Sequence, residues 1–339
     1  MANIYQVAER AGVSLATVSR VINGKAKVAE RTKLRVEQAM SELGYRPNSI
    51  AQSLASATSN RVGILVSVLD GPFFSNMLAS IETTLRDAGK HVIITAGHSD
   101  EVKEKEAIEF LISCRCDALI LCIDSISDDY LVDLSKRNVQ FAVINHQIPQ
   151  IADRCFIVDN EQGGYLATKS AIEKGHKQIG YISGPTYKED ARLRLRGHQR
   201  ALQEAGIKFD PDYVYCGDYH DSSGEAGFAY LHSLEKACTA IVCGNDDMAT
   251  GVIFAARRAG IDMPQQLSVI GFDDLIFARY TYPSLTSIEN PISDMGTMAA
   301  YWILQTVYKQ RVGKVIENMF EAKMVVRDSL SEPIYHQSV

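Results

Sequence analysis

Several polar residues of this 339-residue chain stand at or just beyond short apolar runs: Asp70 after Val62–Val68, Asn145 closing Phe141–Asn145, Asp246 beyond Ala240–Gly244, and Asp273 closing Ser268–Asp273. Arg194 follows the run Gln178–Ser183 in a loop-to-helix segment. Carboxylates and amides in such a row suit hydroxyl groups, and a guanidinium can bridge two neighbouring oxygens. Phe73, Phe74 and Tyr219 supply flat apolar faces able to cover a sugar ring. Spacing alone equally allows each of these to be a solvated loop residue. The other chemistry open to carboxylates is acid–base catalysis, but no His or Cys stands with them in a nucleophile–base arrangement. No strand is followed by Gly-x-Gly-x-x-Gly, and there is no Walker phosphate loop. Binding without turnover or a cofactor is therefore expected. Cys114-x-Cys116 is one close pair without a second pair or nearby histidines, so no metal site is expected.

A second constellation lies near the N terminus. Val7, Ala8 and Ala11 give a first helix an apolar face, and Gly12 follows where the chain must turn sharply. Ser14 sits where an N-cap belongs, and Val18 and Val21 continue the buried face of a second helix. Two short helices around a Gly-containing turn make a helix-turn-helix, whose second helix enters the major groove of DNA with its N-terminal residues against base edges. Leu15, Ala16, Thr17 and Arg20 are then the readers: Arg20 can bond guanine twice, whereas Leu15 and Ala16 offer apolar contact to a thymine methyl. Thr17, Ser19 and Asn23 are expected to anchor the backbone. Helix pairs of this kind also occur in proteins that touch no DNA. A third helix is predicted over about 31–43, with Leu34, Met40 and Leu43 inward and Gly44 stopping it.

Pro47-Asn48 and then Ser49-Ile-Ala-Gln-Ser-Leu-Ala55 read as an N-capped helix of barely two turns, followed by a linker to Asn60. A helix that short is marginal alone and is expected to order when two copies meet on DNA. Leu54 is then placed to wedge into a base step, unless it is simply buried against the body. Beyond residue 60, short apolar runs alternate with helical patterns, which implies α/β architecture with parallel sheets covered on both faces. Residues 62–94 and 178–216 echo one another in layout, which suggests two similarly built lobes.

The net charge of −6 hides an asymmetry: residues 1–60 hold eight Lys/Arg against four Glu, a balance of +4 that leaves −10 for the remainder. A basic head on an acidic body is drawn to phosphates by one end. The seven cysteines, odd in number and mostly set in apolar runs, suit reduced thiols in a cytoplasm. The first ten residues lack a charged region followed by an apolar core, and no stretch has the roughly 18 apolar residues of a membrane span, so a cytoplasmic protein is expected. A periplasmic-type binding protein without DNA function would need such a leader and would leave the basic head unexplained.

The run Val7-Ala-Glu-Arg-Ala-Gly-Val-Ser-Leu-Ala-Thr-Val-Ser-Arg-Val-Ile-Asn23, then Gly44-Tyr-Arg-Pro-Asn48 and Ala51-Gln-Ser-Leu-Ala55, resembles the head and hinge of the lactose/galactose repressor (LacI/GalR) family. The resemblance covers nearly the whole chain; Phe73-Phe74, Ile270-Gly-Phe-Asp-Asp274 and Val326-Arg-Asp-Ser329 are similar to galactose and β-glucoside regulators. It implies a helix-turn-helix head over 1–46, a hinge over 47–60, an effector-binding and dimerisation domain over 61–331, and a tail over 332–339. It further implies lobes like those of periplasmic sugar-binding proteins, an N-lobe of about 61–160 and 290–319 and a C-lobe of about 161–289 and 320–331. The implied DNA contacts include Asn48, Ala51 and Leu54. Arg194 in Arg-Leu-Arg-Gly197, the pair Asn245-Asp246, Asp273 and Tyr219 after Gly217-Asp match residues that line the family's effector cleft. His146 departs from the Arg common there, which leaves the sugar open. The implied function is a homodimeric repressor of a sugar-utilisation operon, bound to double-stranded operator DNA and released by a sugar or glycoside; a corepressor-dependent regulator is the alternative. The tail lacks a leucine heptad, which favours a dimer over a tetramer.

Arg20→Ala is expected to lose discrimination at one base pair per half-site by about 1–3 kcal/mol, read from binding to singly substituted duplexes. Uniform weakening on every sequence would make Arg20 a phosphate contact instead.

Overall fold

The computed structural model describes residues 2–23, 28–46 and 58–334, with only the backbone at Asn23. The chain divides into two units, one reaching residue 61 and including residues 115–117, the other holding the rest. The expected hinge helix, with Asn48, Ala51 and Leu54, lies outside the described residues.

In the head, α1 (Ile4–Ala11) opens on a capping box: the Asn3 side chain accepts the Gln6 N–H at 3.0 Å while the Gln6 side chain accepts the Asn3 N–H at 2.9 Å. Gly12 ends α1 at φ +62°, a conformation that a Cβ would strain. The Ser14 hydroxyl accepts the Thr17 N–H at 3.2 Å, and its carbonyl takes the N–H groups of Thr17 and Val18, so α2 (Leu15–Asn23) begins where the cap was expected. With α3 (Glu30–Glu42), these helices bury Val7, Ala8, Ala11, Val18, Val36 and Ala39. One expectation needs correction: Leu34 is 57% exposed. The inward stripe of α3 and its cap runs through Val36, Ala39, Met40 and Leu43, spaced i, i+3, i+4, i+7, and Leu34 lies two residues before it on the outer side.

The body contains two six-stranded sheets. The first orders β11 (Met319–Phe320), β5 (Cys155–Val158), β4 (Phe141–Ile144), β3 (Ala118–Leu121), β1 (Arg61–Val66) and β2 (His91–Ala96). The second orders β12 (Lys323–Val325), β10 (Thr286–Glu289), β9 (Ser268–Asp273), β8 (Ala240–Cys243), β6 (Ile179–Ser183) and β7 (Val214–Cys216). Strands β3, β4 and β8 are buried along their whole length, because helices cover both faces of a parallel sheet. The first sheet carries α4 (Pro72–Asp87), α5 (Glu101–Ser113), α6 (Asp128–Lys136) and α11 (Ile292–Thr306). The second carries α7 (Asn160–Glu173), α8 (Glu189–Glu204), α9 (Asp221–His232) and α10 (Asp246–Arg258). The chain passes between the sheets after β5, after β10 and between β11 and β12, where β12 joins the second sheet antiparallel to β10. Each sheet thus forms one lobe, and residues beyond β3 and β4 of the first meet the start of α8 in the second.

Helices α7 and α8 approach backbone to backbone. A Cβ on Gly197 would stand 2.0 Å from the Glu161 carbonyl oxygen, and one on Gly164 equally close to that of Arg194. This contact sets Arg194, on α8, against Asn160 at the start of α7. Gly197→Ala must push the helices apart, because its neighbours are main-chain atoms. It is expected to cost about 1–3 kcal/mol or more in urea unfolding; an unchanged midpoint would show that the helices are not held at this separation.

Candidate functional site

In the head, the first half of α2 presents an exposed side. Ser14, Leu15, Ala16 and Arg20 are exposed there, and Thr17 and Ser19 are half-buried beside them. Val18 is fully buried in the head core, so the packing that fixes the helix also turns these neighbours outward. Arg10 is tied to Glu42 at 2.7 Å and braces α1 against α3.

In the body, Arg194 is 2% exposed and lies with its guanidinium carbon 3.6 Å from the centre of the Phe272 ring. Its Nε donates to Asn160 Oδ1 at 2.8 Å and its Nη1 to the Gly244 carbonyl at 2.6 Å. Nη2 faces Asp273 at 3.7 Å and Asp190 at 3.9 Å, beyond direct hydrogen-bonding distance. Asp273 ends β9 with φ +106° and accepts from Asn290 Nδ2 at 3.0 Å. Burial pushes its carboxyl up to about 7, although the Arg194 charge pulls the other way. Tyr219, at φ +74° after β7, lays its ring on Gly184, where any Cβ would meet the ring carbons. Burial holds its phenol well above the ordinary range, so it stays neutral.

Three side-chain oxygens here are buried without a hydrogen-bond partner: Tyr219 Oη, Asn145 Oδ1 and Asn290 Oδ1. Buried polar atoms are nearly always satisfied, so these three stand out among the residues beyond the strands. Around Arg194 the structure brings together Tyr219 and Asp273, and Asn145 stands at the end of β4 in the opposite lobe.

Asp246 does not join them. At the first position of α10 it is fully buried, with Oδ1 accepting the Ser287 hydroxyl at 2.6 Å and Oδ2 the Leu275 N–H at 2.7 Å. Both oxygens are spent inside the lobe. Its neighbour Asn245 caps α10 through the Met248 N–H and donates from Nδ2 to the Tyr219 carbonyl. Asp70 is exposed just before α4; Phe73 and Phe74 are half-buried in its first turn, edge to face at 5.2 Å and packed on the body core. Asn290 escaped the sequence reading, although it follows a strand like the others and a polar residue beyond β10 was the available signal. Among the described residues no cluster of three His, Cys, Asp or Glu could hold a metal, and no helix is long and apolar enough to cross a membrane.

Residues 3–48 match the family described as bacterial regulatory proteins, lacI family, and residues 168–330 match the periplasmic binding protein-like domain. The chain is 39% identical over 333 residues, 98% of its length and 97% of the relative's, to the HTH-type transcriptional regulator GalR of Escherichia coli. It belongs to the LacI/GalR family of transcriptional regulators. A crystal structure of the lac repressor dimer bound to operator and the anti-inducer ONPF covers 97% of this chain and 99% of its own at TM-score 0.86 and 28% identity. A CelR–cellobiose complex covers 97% and 100% at TM-score 0.71 and 27% identity. The helix-turn-helix head and the two-lobed α/β body are thus the LacI/GalR architecture, and the chain is a sequence-specific DNA-binding repressor.

A carboxyl that ionises near 7 when folded but near 3.8 otherwise keeps its proton in the native chain after the unfolded chain has lost it. Its contribution favours folding at about pH 4 and below and is lost as pH rises to about 7. The stability of wild type minus that of Asp273→Asn is therefore expected to fall by a few kcal/mol across that range in urea titrations. A flat difference would mean that Asp273 ionises like a solvated carboxyl.

Proposed function

We propose that this repressor is a homodimer controlling a sugar-utilisation operon, and that a sugar or glycoside taken into the interlobe cleft releases it from its operator. The observation that carries the reading is the buried Arg194 beside Asp273 and Tyr219, with unpartnered buried oxygens on Tyr219 and Asn290 there and on Asn145 beyond β4. These are donors and acceptors pre-set for hydroxyl groups, and the faces of Tyr219 and Phe73 suit the apolar side of a pyranose ring. The cleft binds without turning its ligand over.

In this reading Leu15, Ala16, Thr17 and Arg20 of each head read one half-site, and Ser14, Ser19 and Asn23 hold the phosphates. Asn48, Ala51 and Leu54 act between half-sites. Ile94 on edge strand β2, Val102 and Phe110 on α5, and Phe254, Tyr280 and Tyr282 of the second lobe are exposed large apolar side chains, which supports a second copy as their cover. Effector binding shifts the relative setting of the lobes, and with it the spacing of the two heads, by a coupling of a few kcal/mol.

The test is fluorescence anisotropy of a labelled pseudo-palindromic duplex, selected by the protein from a random library, at near-physiological salt with galactose, cellobiose, aryl β-glucosides and their phosphates. Release by one sugar is expected. Tightening instead would identify a corepressor, and binding that no sugar alters would remove sugars of this panel from the proposal.

A further inference from the structure

Two ion pairs cross from lobe to lobe at the strand ends. Lys188 Nζ lies 2.8 Å from Asp124 Oδ2. His146 Nδ1 lies 2.9 Å from Glu189 Oε2, and its Nε2 lies 2.7 Å from Asp128 Oδ1. Lys188 and Glu189 are consecutive residues where α8 begins in one lobe; Asp124 follows β3 and His146 follows β4 in the other. One short stretch of the second lobe therefore grips two strand ends of the first.

The two grips differ in chemistry. Asp124 is firmly placed: the Ser67 and Ser99 hydroxyls each donate to it at 2.6 Å. The buried carboxylate of Glu104 accepts the N–H groups of Asp124, Ser125 and Ile126 and so fixes the loop. Burial opposes both charges of the Lys188–Asp124 pair, but their mutual attraction wins, holding Lys188 above and Asp124 below its ordinary range. This pair is charged throughout the neutral range. At His146, both ring nitrogens face carboxylates, which only accept hydrogen bonds when ionised. A neutral imidazole has one N–H, so only the imidazolium can bond to both.

We propose that Lys188–Asp124 and Glu189–His146–Asp128 form a two-point ionic clasp that holds the lobes together, and that only a protonated His146 completes it, so that closing the lobes takes up a proton. This goes beyond the regulatory reading and does not depend on which effector the cleft takes. Burial pushes His146 down, but its bonds to Glu189 and Asp128 outweigh that and bring it up to about 9. The charged groups that face it are Asp128 from α6 and Glu189 from α8, with Arg192 acting on Glu189 from the next turn and the Lys188–Asp124 pair alongside. Opening removes Glu189 and leaves Asp128, so His146 falls back toward its ordinary range while Asp128 still holds it above. The His146 half of the clasp then contributes fully below the open form's ionisation and is lost as pH rises through about 9, while Lys188–Asp124 stays charged.

Spin labels carried on non-natural amino acids at exposed Lys136 and Lys208, one on each lobe, report the interlobe distance in full-length protein by double electron–electron resonance. The labelled chain is diluted into unlabelled chain and measured from pH 6 to pH 10 without ligand. The reading background is Lys188→Met, in which loss of the first pair brings the open form into a measurable range. The ratio of short to long distance is expected to fall by up to about tenfold per pH unit between the two ionisation points. Adding His146→Gln is expected to leave one pH-independent ratio. Adding Glu189→Gln is expected to remove most of the slope while His146 keeps Asp128. A ratio in Lys188→Met that does not change with pH, or a slope that survives His146→Gln, overturns the proposal.

Discussion

A guanidinium that is 2% exposed must be answered by the chain around it, and much of the body's arrangement follows from how Arg194 is answered. Stripping a buried charge of a partner costs about 3–5 kcal/mol. Asn160 from the crossing after β5, the Gly244 carbonyl after β8 and the Phe272 ring on β9 therefore have to meet at one point. They meet because Gly164 and Gly197 let α7 and α8 touch main chain to main chain. A side chain at either glycine would move the cation away from its acceptors, so a packing detail between helices becomes a condition on the cleft.

The answer is also incomplete in a useful way. Nη2 remains 3.7 Å and 3.9 Å from Asp273 and Asp190, and Asp273 is held near neutrality by burial. A buried cation, a poised carboxyl and the unpartnered oxygens of Tyr219 and Asn290 thus stand in one neighbourhood of the second lobe. Asp246 shows the alternative fate of a carboxylate one helix away: with Ser287 and Leu275 answering both oxygens, it braces β10 and the loop after β9 against α10.

The head is built on other terms. It depends on local devices, a capping box at Asn3–Gln6, a left-handed Gly12 and the Ser14 cap, around a small core centred on Val7, Val18 and Val36. These devices fix α2 on the head core without any contact from the body being needed.

The head was legible in the sequence for the same reason: caps, glycine turns and the i, i+3, i+4 spacing act within a few residues. Only Leu34 was misplaced, because α3 offers two apolar directions and packing against α1 and α2 selects one. Alternation of apolar runs with helical patterns gave the parallel α/β class, since strands buried on both faces have no polar side. It also put Asn145, Tyr219 and Asp273 at or just beyond strand ends and Arg194 in the loop-to-helix segment that follows one. Which way each side chain turns was not legible. Asp246 is drawn inward by partners 29 and 41 residues away, and the grip of Lys188 and Glu189 on Asp124 and His146 joins separate lobes. The sequence by itself determined what forms through local bonds and periodic burial. The meeting of lobes, the burial of Arg194 and the charge on His146 were decided by the tertiary structure, because desolvation and pairing are properties of neighbours that the chain brings together only when folded.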